Sequence, residues 1–189
     1  MFSIKYRVVI KGTTMRISIV SFLIMVSSSV FAQDFAKGAA AYAEQEFAKG
    51  AAAFAERDHQ AALRAWKPLA IAGNAKAQFA VATICRLNRG ELRSFKKAAK
   101  WYHLAAKQGQ SISQSFLAYL YAKGLGVLQN YKLAYMWYNI AVTNESPTAD
   151  SNRAEIMNKL TPEAVLKAQD MALECMTSGY ENCGYIEQE

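Results

Sequence analysis

Three thiols (Cys85, Cys175, Cys183) and two imidazoles (His59, His103) are the side chains in this 189-residue sequence best suited to nucleophilic, redox or metal chemistry. A zinc site, or a Cys–His nucleophile pair, needs such groups at short ligand-like spacing, and here they are few and scattered. No carboxylate stands at catalytic spacing beside either histidine. No catalytic residue, metal or cofactor is therefore expected. Cys175 and Cys183 are eight positions apart and straddle Gly179. In an oxidising compartment a disulfide between them would tie the tail back to the last helix; free thiols, or a metal or redox role, are the alternatives. Closing so short a loop would contribute about 2–3 kcal/mol.

The remaining chemistry is charge. Arg86, Arg89, Arg93, Lys96, Lys97 and Lys100 place six bases within fifteen residues. Read plainly, this is a solvated helix face. Read functionally, it is an electrostatic footprint for an acidic partner: a protein surface, anionic lipid headgroups or a cell-wall polymer. The chain's own acidic C-terminal part is another candidate to neutralise it.

The full chain carries 22 bases against 15 acids, a net charge of +7. Four of those bases (Lys5, Arg7, Lys11, Arg16) lie in the first 32 residues, which hold no acid. They precede an apolar run from Ile17 to Val26, then Ser27–Ser29, then Val30-Phe31-Ala32. Basic start, apolar centre and small-residue end form the pattern of a secretory signal, with cleavage expected after Ala32. Met15 is an alternative start, since Arg16 keeps the segment basic. The apolar run is shorter than the roughly 20 residues a spanning helix needs. The expected location is the periplasm or the exterior, which makes nucleic acid a poor partner. Without the signal the net charge is +3, unevenly spread: −2 over residues 33–58, +11 over 59–142 and −6 over 143–189.

The chain matches itself at an offset of 36 residues over 58–142 without a gap. Phe95 falls on Tyr131, Ala98 on Ala134, Trp101 on Trp137 and Tyr102 on Tyr138. Gln78 falls on Gln114, Ala82 on Ala118 and Gly90 on Gly126, while Ala62 falls on Ala98 and Gly73 on Gly109. Each unit reads as two helices, the first over about 75–87 and 112–123, the second over about 59–72, 95–108 and 131–143. Phe95, Ala98, Tyr102 and Ala105 lie on one helical face. Asp58, Ser94 and Asn130 precede the second helices, each with a short side-chain oxygen able to cap an orphan N–H. Gly73 and Gly109 stand where a left-handed residue would end a helix. The 33 alanines and three prolines of the chain suit helix throughout. Pro68 lies inside one of these helices and removes its bond to the carbonyl of Arg64.

Asn130-Tyr131-x-x-Ala134-x-x-Trp137-Tyr138-x-x-Ala141 resembles the Sel-one-like repeat, a longer-looped relative of the tetratricopeptide repeat. Phe95-x-x-Ala98-x-x-Trp101-Tyr102-x-x-Ala105-Ala106-x-x-Gly109 does so as well, and Tyr121 to Val127 is similar to the family's inter-helix loop. The preceding loop keeps only Gly90. The resemblance covers about half the chain after the signal. It implies an all-α, short right-handed solenoid of helix–turn–helix repeats that binds other proteins as a scaffold, adaptor or regulator. Some exported members bind or hydrolyse β-lactams with a C-x7-C spacing inside every repeat; here that spacing occurs once, outside the repeats. Cys85 shares a column with Tyr121 and is expected to be a buried, inert thiol. His59 shares a column with Phe95 and Tyr131 and is expected to pack as an aromatic; His103, in the column of Asn139, is expected to face solvent. The repeated Trp and Tyr residues are expected in the core. Tyr119 and Lys123 lie off the apolar face of a first helix, which in such solenoids lines the inner curve, and are candidates to meet a partner.

Outside the repeats, Phe35-Ala-Lys-Gly-Ala-Ala-Ala-Tyr42-Ala-Glu-Gln-Glu46 is followed by Phe47-Ala-Lys-Gly-Ala-Ala-Ala-Phe54-Ala-Glu-Arg-Asp58. On a helix a 12-residue period turns the two apolar faces about 120° apart. Only one copy can therefore pair with the helix at His59, and the second, contiguous with Asp58, is expected to be that one. The domains are thus a signal (1–32), the duplicated segment (33–57), the repeats (58–143) and two C-terminal capping helices with a tail (144–189). The second capping helix is announced by Thr161-Pro162-Glu163, a cap, an N1 proline and a first-turn acid. A monomer is expected.

Overall fold

The computed structural model describes the backbone of residues 5–10, 13–88 and 92–184, with side chains from residue 32 onward. The chain divides into two units, residues 1–45 and 46–189. In the first, Lys5–Ile10 (β1) pairs antiparallel with Thr13–Ser18 (β2), Lys5 opposite Ser18. Ile19–Ala55 (α1) follows, and its Phe35 and Tyr42 are 80% and 62% exposed. The side chains of residues 1–31, where the export signal was expected, lie outside those described. Among the described residues no helix is long and apolar enough to cross a membrane.

The second unit contains the end of α1 and seven more helices: His59–Ile71 (α2), Ala75–Leu87 (α3), Phe95–Ala106 (α4), Ser111–Lys123 (α5), Tyr131–Thr143 (α6), Ala149–Met157 (α7) and Pro162–Thr177 (α8). From Ile19 onward every described element is a helix, a helical solenoid as the all-α reading requires. From α2 to α6 each helix packs on its chain neighbours, and α6 carries both α7 and α8. The caps form as local chemistry dictates. Asp58, Ser94 and Asn130 accept the N–H of Ala61, Lys97 and Leu133 at 2.8, 3.2 and 3.0 Å. Asn74 and Gln110, also 36 apart, cap α3 and α5 in the same way. The helix bonds displaced at Pro68 do not end α2, which runs through it.

A second periodic device was not anticipated. The buried amides of Gln78 and Gln114 donate to the carbonyls of Ala70 and Ala106, both at 3.1 Å. Their own oxygens accept from Gln108 and Asn144 at 2.8 and 2.9 Å. Each glutamine thus joins the end of one second helix to the end of the next, with both of its polar ends satisfied inside the core. Asn144 also donates to the hydroxyl of Tyr180 at 2.9 Å. The tail is fixed again by a disulfide between Cys175, at 0% exposure on α8, and Cys183. Of the alternatives open in the sequence, the bonded pair is the one present.

His59 packs as expected, its ring 5.4 Å from Phe54 and its Nδ1 3.0 Å from the Asn88 amide. His103 does not face solvent. Its ring meets Trp137 edge-on at 6.0 Å, because α6 lies against that side of α4. Burial first, then Lys107, pushes its pKa down from 6.5 to about 4. The unfolded chain therefore takes up this proton before the folded one as pH falls. The stabilising contribution is whole above pH 6.5 and is lost on descent to about pH 4. A loss of about 2–3 kcal/mol over that interval is expected in urea unfolding. His103→Leu should remove that component of the pH slope; an unchanged slope would assign it to another group.

Candidate functional site

The groove begins on one stripe of α3. Phe79, Thr83 and Arg86 stand at i, i+4 and i+7 and share a helix face. The Thr83 hydroxyl donates to the Phe79 carbonyl at 2.9 Å and lies 3.2 Å from the Tyr102 hydroxyl, which can donate to it. The oxygen of Tyr102 accepts from Arg86 Nε at 3.1 Å. Burial, outweighing these hydrogen bonds, holds Tyr102 above the ordinary tyrosine range, so it stays neutral. The Arg86 guanidinium carbon lies 4.3 Å from the Phe116 ring centre, and Phe116 stacks on Tyr102 at 5.3 Å. The result is a cation held flat on an aromatic column by one hydrogen bond and one π face.

On α5, Ile112, Phe116, Tyr119 and Lys123 repeat the same helical spacing. With Arg86, the first three of these border a groove of about 410 Å³ whose far wall is Tyr138, the α6–α7 loop and Asn152. Tyr138 is held well above the ordinary tyrosine range by burial, then by Glu155 and Tyr119. The Ser115 and Ser146 hydroxyls pair at 2.7 Å in the groove floor. Among the described residues Arg86 has no carboxylate partner. A half-buried guanidinium beside neutral phenols and an apolar wall is suited to accept an anion and an aromatic or aliphatic side chain together.

The five described bases of the cluster do not form one patch. Arg86 turns into this groove, Arg93 lies over Phe95 with its guanidinium carbon 4.9 Å from the ring centre, and Lys97 lines a different cleft. Lys96 and Lys100 are exposed, and Arg89 lies outside the described residues. They separate because they come from two helices and the connection between them, and sequence proximity is not proximity in the fold. Tyr119 is 38% exposed in the groove. Lys123 pairs with Glu155 at 3.8 Å, an exposed contact of small energetic worth. Cys85 is buried, and desolvation raises its thiol pKa against the opposing pull of Lys97 and Lys67. The i, i+4, i+7 stripe on α3 was the sequence signal that would have singled out Arg86 from its basic neighbours.

Stacked 36-residue helix pairs with a groove along their first helices define an α-solenoid interaction module. The Sel1 repeat model matches residues 75–110 and 111–145, the α3–α4 and α5–α6 pairs, so the chain carries two Sel1 repeats. Repeats of this family typically serve as protein–protein interaction scaffolds. Among solved structures the chain is similar to a protective antigen present in uropathogenic Escherichia coli strains that displays an SLR fold. The TM-score is 0.67 at 26% identity, over 78% of this chain and 33% of the antigen, so the chain spans a third of that protein's length. It is also similar in fold to a Sel1 repeat protein from Oxalobacter formigenes, with TM-score 0.55 and 23% identity over 65% of this chain and 96% of that one. No curated protein matches the chain.

Proposed function

We propose that this chain is an exported solenoid scaffold whose α5 groove binds an acidic segment of a protein partner. The observation that carries this is Arg86, a cation fixed in an aromatic groove with no carboxylate partner among the described residues. Export is supported by the basic, apolar and small-residue order of residues 1–32 and by the Cys175–Cys183 bond, which persists in oxidising compartments. The test is crosslinked pull-down from the periplasm with wild type and with two groove variants, Arg86→Ala and Tyr119→Ala. A centrally placed cation of this kind is expected to cost about tenfold or more in partner affinity when removed. Equal recovery of the same partners by all three proteins would sink the groove assignment.

Hydrolysis of β-lactams is disfavoured by the state of the sulfurs. A nucleophilic cysteine needs a depressed pKa and access. Cys85 is buried with its pKa raised, and the other two are bonded to each other. A chromogenic β-lactam incubated with the purified protein is expected to turn over at the background rate. Turnover above background would overturn the scaffold reading, and its survival in Cys85→Ala would demand a different nucleophile.

A further inference from the structure

A second cleft, of about 340 Å³, lies where α2, α3 and α4 meet, and it shares no lining residue with the Arg86 groove. Its rim carries Arg64 and Lys67 from α2 and Lys97 from α4, and among the described residues no acid lines it. Arg64 and Lys67 stand three apart on one helix face, and Lys97 reaches the same opening from α4. All three side chains are exposed. The walls are apolar: Leu63, Val81 and the half-buried indole of Trp101, with the Cys85 thiol in the floor. Trp101 lies one turn after Lys97, so indole and ammonium share a face. Trp66 and Trp137 are 5% and 0% exposed, which leaves Trp101 as the indole that a ligand can reach.

Three cations with no acid among the described lining residues attract an anion, and an apolar pocket beneath them rejects a purely hydrophilic one. We propose that this cleft is a binding site for a small amphiphilic anion: a phosphate or carboxylate head held by Arg64, Lys67 and Lys97, on an apolar body that packs against Trp101 and Leu63. The head is either that of a free amphiphile or that of an anionic lipid at a membrane surface.

Octyl phosphate is the probe, followed by the fluorescence of the reachable tryptophan and by calorimetry. It should bind saturably, with inorganic phosphate and octanol each about tenfold weaker or worse, since each supplies half of the recognition. Lys67→Gln combined with Lys97→Gln should weaken octyl phosphate about tenfold or more at an unchanged melting temperature, because both side chains are exposed. Arg86→Ala should leave this binding unaltered. Absence of binding, equal binding of octanol or inorganic phosphate, or indifference to the double variant would each overturn the proposal. Sedimentation with phosphatidylglycerol vesicles separates the two sources. Loss of vesicle binding in the double variant supports a lipid head, and octyl phosphate binding without vesicle binding supports a free amphiphile.

Discussion

Gly126→Ala is expected to destabilise the repeat unit by about 4 kcal/mol, lowering its melting temperature by roughly 10 °C or more. Two costs act together. Gly126 has φ +70°, a conformation that an L side chain rarely adopts. An added Cβ would also overlap the backbone of Phe95 and Lys96, so no rotamer change relieves it. The loop after α5 lies directly on the start of α4, and it is closed there by the Asn130 N–H donating to the Tyr121 carbonyl at 2.9 Å. The equivalent closure one repeat earlier, Ser94 to Cys85, has the same length. Gly124 is the control. It too has positive φ, at +65°, but a Cβ there would meet only the Gln129 side chain at 3.3 Å and nearby backbone at longer distance. Gly124→Ala should therefore cost about 1–2 kcal/mol, mainly the backbone term. Equal losses at the two glycines would mean that the loop does not rest on α4.

The duplicated segment allows a sharper comparison. Gly50→Ala should cost about 3 kcal/mol, whereas Gly38→Ala should be neutral or slightly stabilising. Both glycines sit in the same Phe-Ala-Lys-Gly-Ala-Ala-Ala context within α1. In each, alanine gains about 0.5–1 kcal/mol of helix propensity. What differs is the surroundings. A Cβ at Gly50 would overlap the Trp66 indole, which is cupped by Phe47 and Phe54 at 5.6 and 5.7 Å and donates to the Phe47 carbonyl at 3.0 Å. Among the described residues nothing lies within 4 Å of a Cβ at Gly38. Thermal unfolding of the two variants, with tryptophan fluorescence as the local reporter, should show a clear loss for Gly50→Ala and none for Gly38→Ala. The same sign and size at both positions would refute the seating of Trp66 on the second copy.

Much of the architecture was legible because its determinants are local and repeated. A cap oxygen one residue ahead of a helix, and an alanine column every 36 residues, act through neighbours a few positions away. Asp58, Ser94 and Asn130 accordingly cap the helices that they announce. The glutamine ladder was half legible. Gln78 and Gln114 share a column, but their partners Gln108 and Asn144 differ in identity, and Ala72 breaks that column in the first unit. His103 was misplaced because its column mate Asn139 says nothing about which helix packs beside it.

The sequence by itself determined the repeat, its helix boundaries and caps, the alternating charge of its segments and the cysteine pair able to bond. Only the tertiary structure decided that Arg86 leaves its basic neighbours for an aromatic groove, and that Lys97 joins Arg64 and Lys67 across two helices. Local structure follows from contiguous residues. A site is assembled by helices thirty or more positions apart, and the side chains that meet there carry no common spacing in the chain.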